Sequence, residues 1–459
     1  MKKTIRYHKT LLVGLALCLA GAGWWGVGQW GRAGAASARA AAPGPDDLLA
    51  AIPLPTGSGA TALAIAKWTA KARENGADAR TWVNLGDALM QKVRETADYR
   101  YYGHAERVYE KALALDPQNE EAMTGLAWVH GGRHQFDKSI EWANKAIALN
   151  GRNHLAYGLL GDAAVELGDY AAAYAHYQKM LDIRPDISSY SRGAHLLHLS
   201  GKTFRAAWLM REAIKSGAAY AENTAWCRAQ LALIYFSDGN VAAAEQTLVD
   251  ALKRTPNNRH VLAAMGKVKA GRKDYPAAIA FYKKAIAVTP EHDSLVALGD
   301  LYALTGDKAG AETQYALVEE LHRKNHAAAD TSHDFPMAQF YADHDRNLVE
   351  ALRLAEQRKT TKNLFEADIL AWCYHKNHQP ERAKAAIERA LSQKTADAKI
   401  LYHAGMIYAA AGDRPAAQRY LYQALSLNPN FSPVHAAIAT DTLKTLGQKK
   451  TAAASSPVR

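Results

Sequence analysis

Histidine is the residue type in this chain that most invites a chemical role. The sequence has 18 histidines, and four of them surround one irregular stretch: His322, His326, His333 and His344. His322 and His326 are four residues apart, a spacing that puts two imidazoles on one helix face, where they could bind a metal ion. No carboxylate or cysteine pattern completes a recognisable site. We therefore interpret the four as solvated loop and helix-end residues, and we predict no metal and no cofactor.

Catalytic signatures are missing from the sequence. It contains no G-x-S-x-G, no H-E-x-x-H, no P-loop, and no G-x-G-x-x-G at a strand-to-helix junction. The three cysteines, Cys18, Cys227 and Cys373, form no C-x-x-C pair. We interpret Cys227 and Cys373 as buried free thiols. The sequence thus predicts no catalytic residues and no enzyme.

The elements that would position any site are copies of one repeat. Pro117, Gly151 and Pro185 are 34 residues apart, and so are Pro256 and Pro290. Between these positions, apolar residues recur at helical spacing in two runs separated by a turn. Proline stops the second helix of each copy because it cannot continue a helix. The pattern predicts successive helical hairpins and no strands.

Several residue types recur in register within each copy. In the first copy they are Trp82, Leu85-Gly86, Ala105, Tyr109, Ala112 and Pro117. This pattern resembles the tetratricopeptide repeat, and the resemblance covers most of the chain. Ten units are recognised, near 79–119, 120–153, 154–187, 188–221, 225–258, 259–292, 293–322, 335–363, 364–397 and 398–431. The resemblance implies an all-α fold, a right-handed alpha-alpha superhelical solenoid of about ten helical hairpins.

The eighth unit is degenerate and follows the least helix-like stretch of the middle, which suggests that the solenoid is divided there. Helices near 61–75 and 433–446 are expected to cap the two ends. The predicted organisation is a signal peptide or signal anchor at 1–40, a flexible linker at 41–60, an N-terminal repeat block at 61–322, an irregular connector at 323–335, a C-terminal repeat block with its capping helix at 336–446, and a disordered tail at 447–459.

The N-terminus has the pattern of a secretory signal. Residues 2–9 contain four bases, and the 20 residues from Leu11 to Trp30 carry no charge. Cleavage at Ala36-Ser37-Ala38 or at Ala38-Arg39-Ala40 and a retained membrane anchor are all compatible with this pattern. In either case we expect an exported protein, periplasmic or anchored in the inner membrane and facing the periplasm.

The net charge of +11 suggests a nucleic-acid partner until it is divided along the chain. Residues 1–45 carry six bases and no acid, and residues 441–459 add three further net positive charges. The repeats between them are therefore close to neutral, with no basic stripe to follow a phosphate backbone. We expect no nucleic-acid partner, and contact with a membrane only through the N-terminal segment if it is uncleaved.

Candidate binding residues come from the resemblance, which implies that the first helix of each unit lines the concave face. Its second, fifth, ninth and twelfth positions would face a ligand. On this basis the candidates are Trp128, Asp162, Trp226, Phe236, Lys267, Phe365, Trp372, Tyr402 and Met406. Aromatic residues in such a groove would hold an extended peptide or a partner helix. The alternative is that they pack between repeats. No basic clamp is evident for an acidic peptide.

Two functional hypotheses follow. The first is a non-enzymatic scaffold or adaptor at the outer face of the inner membrane, with other proteins or peptides as partners in its concave groove. The second is a periplasmic assembly factor that presents apoproteins for metal or haem insertion, a hypothesis that only the histidine-rich middle favours.

Overall fold

The structure is a computed structural model that describes residues 45–54, 59–219, 221–327, 334–359 and 361–454. Over these residues it is built of α-helices and contains no strand. The helices are α1 (Pro45–Ala50), α2 (Ala60–Glu74), α3 (Ala79–Thr96), α4 (Arg100–Leu115), α5 (Glu120–Gly132), α6 (Phe136–Leu149), α7 (His154–Glu166), α8 (Tyr170–Ile183), α9 (Ile187–Leu199), α10 (Thr203–Ser216), α11 (Glu222–Ser237), α12 (Val241–Arg254), α13 (Arg259–Gly271), α14 (Tyr275–Val288), α15 (His292–Leu304), α16 (Lys308–Ala327), α17 (Asp334–Asp343), α18 (Leu348–Glu356), α19 (Leu364–Lys376), α20 (Pro380–Leu391), α21 (Ala398–Ala410), α22 (Arg414–Leu427) and α23 (His435–Ala454).

Helices α3 to α22 pair in sequence order into ten hairpins, α3 with α4 through α21 with α22. We number these hairpins units 1 to 10 and call their first and second helices helix A and helix B. Helices α2 and α23 pack against the first and last units. The predicted solenoid of about ten helical hairpins is therefore confirmed, and a helix lies at each expected end.

In units 1, 3, 6 and 7, a glycine of helix A receives an aromatic ring from helix B. A Cβ atom placed on Gly161 would lie 2.2 Å from the ring of Tyr177, so the ring occupies the space that a side chain would need. The Tyr177 hydroxyl then donates a hydrogen bond of 2.8 Å to Asp162, the residue after the glycine. The same arrangement joins Gly86, Asp87 and Tyr109, and Gly299, Asp300 and Tyr315.

The solenoid is wound so tightly that its successive turns touch. In units 3, 4 and 5, the loop between helix A and helix B lies against a segment much later in the chain. These segments precede α19, α21 and α23, respectively. We define the middle seam as residues 165–170 against 358–364, and the C-terminal seam as residues 236–239 against 427–430. The N-terminal seam joins the end of α3 to the starts of α11 and α13, where Arg259 donates a 2.8 Å hydrogen bond to the Arg94 carbonyl.

The seams bring backbone against backbone. In the middle seam, a Cβ atom placed on Gly168 would lie 2.2 Å from the carbonyl carbon of Lys362. In the C-terminal seam, the Asn428 side-chain amide donates a 2.7 Å hydrogen bond to the Phe236 carbonyl, and both residues are buried. Glycine is required at position 168 for two reasons. A side chain would collide with the backbone of Lys362, and the φ of 75° lies in the left-handed region that favours glycine.

The structure does not divide at the connector expected at 323–335. Helix α16 continues to Ala327, and α17 begins at Asp334. One hydrophobic core contains Val318 from one side of this stretch and Met337 from the other, together with Val165 and Tyr170 of unit 3. Residues 45–459 accordingly form one compact unit, because the seams tie the later repeats to the earlier ones.

Two terminal segments also differ from expectation. Within the predicted linker 41–60, helix α1 buries Leu48 and Leu49 in the core of unit 1, because two adjacent leucines supply enough apolar surface to dock the segment. At the other end, the backbone of α23 stays helical to Ala454, into the predicted tail 447–459.

The predicted signal or anchor at 1–40 lies outside the described residues. Among the helices that the structure does describe, none combines the length and the apolar character needed to cross a bilayer.

We predict that Gly168→Ala destabilises the protein more than Gly412→Ala. Both glycines have a left-handed φ, which costs about 1–2 kcal/mol for alanine, but a Cβ atom at Gly412 would meet no atom within 4 Å. Overpacking of the middle seam should add about 1–3 kcal/mol for Gly168→Ala alone. Urea unfolding of the two variants measures the difference, and equal midpoints would show that the seam adds nothing to stability.

Candidate functional site

The inner face of units 3 to 6 forms a groove. It encloses about 390 Å³ between helices α7, α8, α9, α11 and α13 and the end of α3. We call this cavity the inner groove, and its lining is Arg94, Asp162, Tyr177, Ile187, Ser188, Ser191, Arg192, His195, Glu222, Asn223, Trp226, Cys227, Arg259 and His260. A larger cavity of about 590 Å³ lies at the N-terminal seam, and it shares Glu222 and Asn223 with the groove.

Asp162 organises one wall of the inner groove. Its carboxylate accepts the Tyr177 hydroxyl at 2.8 Å and two bonds from Arg192, from Nε at 2.9 Å and from Nη2 at 2.8 Å. This paired geometry uses the planar guanidinium fully. Burial and the Asp162 carboxylate raise the pKa of Tyr177 well above its ordinary value, so the phenol stays protonated and continues to donate.

The opposite wall carries a second charged group. Arg94 pairs with Glu222 at 3.3 Å, while Arg259 pairs with Glu291 and the Arg94 carbonyl. Burial, together with Arg259 and Arg94, lowers the pKa of His260 to about 3. His260 is therefore a neutral imidazole at pH 7, and the groove walls are nearly balanced in charge.

The groove also has apolar and neutral polar surface. Trp226 is half-buried, and its ring is part of the lining. Ser188, Ser191 and Asn223 lie nearby and can both donate and accept hydrogen bonds. Cys227 is buried, and burial raises the pKa of its thiol to about 12, so it is unsuited to nucleophilic chemistry. The arrangement suits binding more than bond making.

The inner face of units 8 to 10 is packed closed by its own side chains. The His403 ring is fully buried, bonds the Asp368 carboxylate at 2.9 Å through Nδ1, and stacks on Trp372 with ring centres 4.2 Å apart. Lys399 donates a 2.8 Å bond to Asp343. Burial opposes ionisation of Asp343, but Lys399 and nearby histidines hold its pKa below the ordinary value.

The nine predicted binding residues fall into three groups. Asp162 and Trp226 meet in the inner groove, as candidates for contact with a ligand. Lys267 and Phe365 are exposed, Phe365 by 42%. The others contact neighbouring helices: Trp128 and Met406 are half-buried in cores, while Phe236, Trp372 and Tyr402 are buried with at most 4% of their surface exposed.

The buried aromatics cannot meet a ligand in this conformation. Trp372 packs against Tyr402 of the next helix A, with ring centres 5.9 Å apart, and a Cβ atom on Gly271 would lie 2.6 Å from the Phe236 ring. These three side chains fill the space between adjacent units, which is the packing alternative left open by the sequence.

The candidate residues predicted from the sequence do not include the arginines of the inner groove. The sequence shows no evident basic clamp, yet Arg94, Arg192 and Arg259 all line the cavity. Arg192 occupies the fifth position of unit 4, so the positional rule applied to that unit would have identified it. Arg94 and Arg259 come together only at the N-terminal seam, and no repeat pattern predicts a contact between units that far apart.

The histidines near the connector lie in separate environments. His322 is bonded to Asp334 at 3.0 Å, and His344 to Asp300 at 2.7 Å. His333 lies outside the described residues, and the side chain of His326 is not described. Across the described part of the chain, no group of three or more histidine, cysteine, aspartate or glutamate side chains could hold a metal ion.

Comparison with known families bears directly on the hairpins. A family model described as "Tetratricopeptide repeat" matches residues 124–186, 229–291 and 263–326, and a second model of the same description matches 398–431. The chain contains tetratricopeptide repeats. The matched segments fall in units 2, 3, 5, 6, 7 and 10, and the solenoid of the structure extends the same hairpin through the other units.

Solved structures with similar hairpins include three of different origin. The APC/C hetero-tetramer Cut9-Hcn1 is 13% identical and covers 84% of this chain and 93% of its own, with a TM-score of 0.37. A tetratricopeptide repeat protein from Parabacteroides merdae is 17% identical over 52% and 91%, with a TM-score of 0.40. The human IFIT1 dimer with PPP-AAAA is 18% identical over 76% and 73%, with a TM-score of 0.36. At such values these likenesses indicate nothing about what this chain binds.

We predict that His260→Gln reduces the number of protons that this tetratricopeptide repeat protein takes up when it unfolds. The pKa of His260 is about 3 in the folded protein and 6.5 in the reference state. Its contribution to stability is therefore present above pH 6.5 and is lost as the pH falls toward 3. At pH 5 the variant should take up about one proton fewer on unfolding. The slope of its unfolding free energy against pH should therefore be smaller by about 1.4 kcal/mol per pH unit. Identical slopes for variant and parent would contradict a neutral His260 in the folded protein.

Proposed function

We propose that this chain is a non-enzymatic scaffold that is exported to the outer face of the inner membrane and binds a segment of a partner protein in the inner groove. Tetratricopeptide repeats are generally scaffolds for protein interaction, and the matched families name no catalytic activity. That general role supports the class of function. The location and the site are the more specific parts of the proposal.

The observation that carries the proposal is the composition of the inner groove. A half-buried tryptophan provides an apolar contact of the kind that dominates interface energetics. Around it, Ser188, Ser191 and Asn223 can satisfy the backbone donors and acceptors of an extended peptide. The salt bridges of the walls are already internal, so a bound segment needs no strong net charge.

Export is supported by the N-terminal sequence, in which a basic segment precedes 20 uncharged residues. The second hypothesis, an assembly factor for metal or haem insertion, has less support. The two described histidines of the connector region, His322 and His344, each bond a different carboxylate.

We expect a photocrosslinking residue at Asn223 to capture a discrete partner in intact cells. Trp226→Ala should weaken that product at least tenfold, because truncation of a central aromatic typically costs 2 kcal/mol or more. The matched control is Trp208→Ala, since Trp208 is 41% exposed on helix B of unit 4, away from the groove lining. Equal loss in both variants, or the same products from a crosslinker at Phe204, would argue against the groove as the binding site.

Export is tested separately with the full chain fused to a reporter that is active only outside the cytoplasm. We expect activity from the fusion and its loss when Leu15 and Leu17 are both replaced by Arg. The matched control replaces the same residues with Ile. An inactive parent fusion that is present at normal abundance would contradict export without bearing on the groove.

A further inference from the structure

Two carboxylates approach the middle seam from opposite sides, one within it and one two residues beyond its end. Glu166 lies in the last turn of α7, and Glu366 lies in the first turn of α19. Arg358 donates to the Glu366 carboxylate and, at 3.4 Å, to the Glu166 backbone carbonyl. The Thr361 hydroxyl also donates to Glu366. Polar groups of the seam thus satisfy Glu366 more fully than the side chain of Glu166.

The backbone contacts around this pair leave little room for movement. The Asn363 side-chain amide donates to the carbonyls of Val165 and Glu166, each at 3.4 Å. The Leu364 amide donates a 2.9 Å bond to the Tyr170 hydroxyl, and this bond is buried. Several bonds therefore depend on one separation between α7 and α19, so a small widening would weaken them together.

The charged groups that face Glu166 do not balance it. From α19 it meets Glu366, from the segment after α18 it meets Arg358, and from its own helix it meets Asp162. The titratable neighbours on α8 are Tyr170 and Tyr177. Burial keeps both hydroxyls protonated, because it raises the pKa of Tyr170 to about 12 and that of Tyr177 well above its ordinary value. Asp162 is neutralised by Arg192 in the groove wall. Arg358 is therefore the cation that faces both Glu166 and Glu366, and it pairs with Glu366.

Burial and then the Glu366 charge raise the pKa of Glu166 to about 7. Burial also raises the pKa of Glu366, against the opposing effects of Thr361 and Arg358. The protonated form of Glu166 is therefore favoured by the closed contact, because ionisation would place two negative charges in one partly buried site.

We propose that the middle seam is a proton-controlled clasp that regulates access to the inner groove, closed while Glu166 is protonated and loosened when Glu166 ionises. The link to the groove is α7 itself, since Asp162 of the groove wall lies one helical turn before Glu166. The regulatory role rests on the groove function proposed above. The clasp itself is a property of the free protein.

The sign and size of the effect follow from linkage. A carboxyl group whose pKa is raised in the closed state stabilises that state at low pH, and the stabilisation is lost as the pH rises through about 7. With a closed-state pKa of about 7 and an open-state pKa of 4.5, the opening constant should increase roughly tenfold between pH 6 and pH 8.

Hydrogen–deuterium exchange of the full chain, without any partner, tests the clasp. After correction for intrinsic rates, we expect exchange of peptides covering 358–366 to increase roughly tenfold from pH 6 to pH 8. The C-terminal seam is the internal control, because its bond joins Asn428 to a backbone carbonyl and involves no carboxylate. Peptides covering 426–431 should show no such increase.

Two variants make the test specific. Glu166→Gln should abolish the increase, and Glu366→Gln should reduce it, because the second removes the neighbouring charge that raises the pKa of Glu166. The matched control is Glu141→Gln, on the fully exposed face of α6, which should behave like the parent. Circular dichroism at both pH values confirms that each variant is folded.

The clasp is overturned if the two seams of the parent respond equally to pH, or if Glu166→Gln keeps the increase. Either result would leave partner binding in the groove untouched, since no partner is present in the measurement. Conversely, failure of the crosslinking experiment with a normal exchange result would remove the groove function and leave the clasp in place.

Discussion

In units 1, 3, 6 and 7, the contact between a glycine of helix A and an aromatic ring of helix B is the interaction on which the geometry of the hairpin depends. It fixes the separation of the two helices, because no larger residue leaves room for the ring, as at Gly161 against Tyr177. The hydroxyl of that ring then reaches an aspartate on the inner face. One local contact thereby determines both the shape of the hairpin and the orientation of a groove residue.

Repetition of this hairpin produces a solenoid whose turns meet, which changes what the inner face can do. At units 8 to 10, stacked rings and the Asp343–Lys399 pair occupy the interior. At units 3 to 6, a cavity remains, bordered by the N-terminal seam. The useful surface is therefore smaller than ten open repeats would provide, and its edges are formed by residues remote in sequence.

The hairpins could be predicted because their signals are local. Glycine, tyrosine and proline at fixed offsets within 34 residues specify two helices and two turns, and the structure confirms them. The seams could not be predicted in the same way, because Asn363 contacts Val165 across nearly 200 residues and no periodicity encodes that distance. The same limit applies to the candidate site: repeat position predicts that Asp162 and Trp226 face the interior, where both line the cavity, whereas the burial of Trp372 depends on the neighbouring Tyr402.

Contact between distant turns also bears on how the chain acquires its structure. In an open array of repeats, each unit depends only on its neighbours, so folding can begin anywhere and ends can unravel one unit at a time. Here the loop of unit 3 is completed by unit 9, and that of unit 5 by residues near Asn428. Bonds of this kind form only after most of the polypeptide has been synthesised. The repeats should therefore melt as a cooperative block, with much of the final stability gained late.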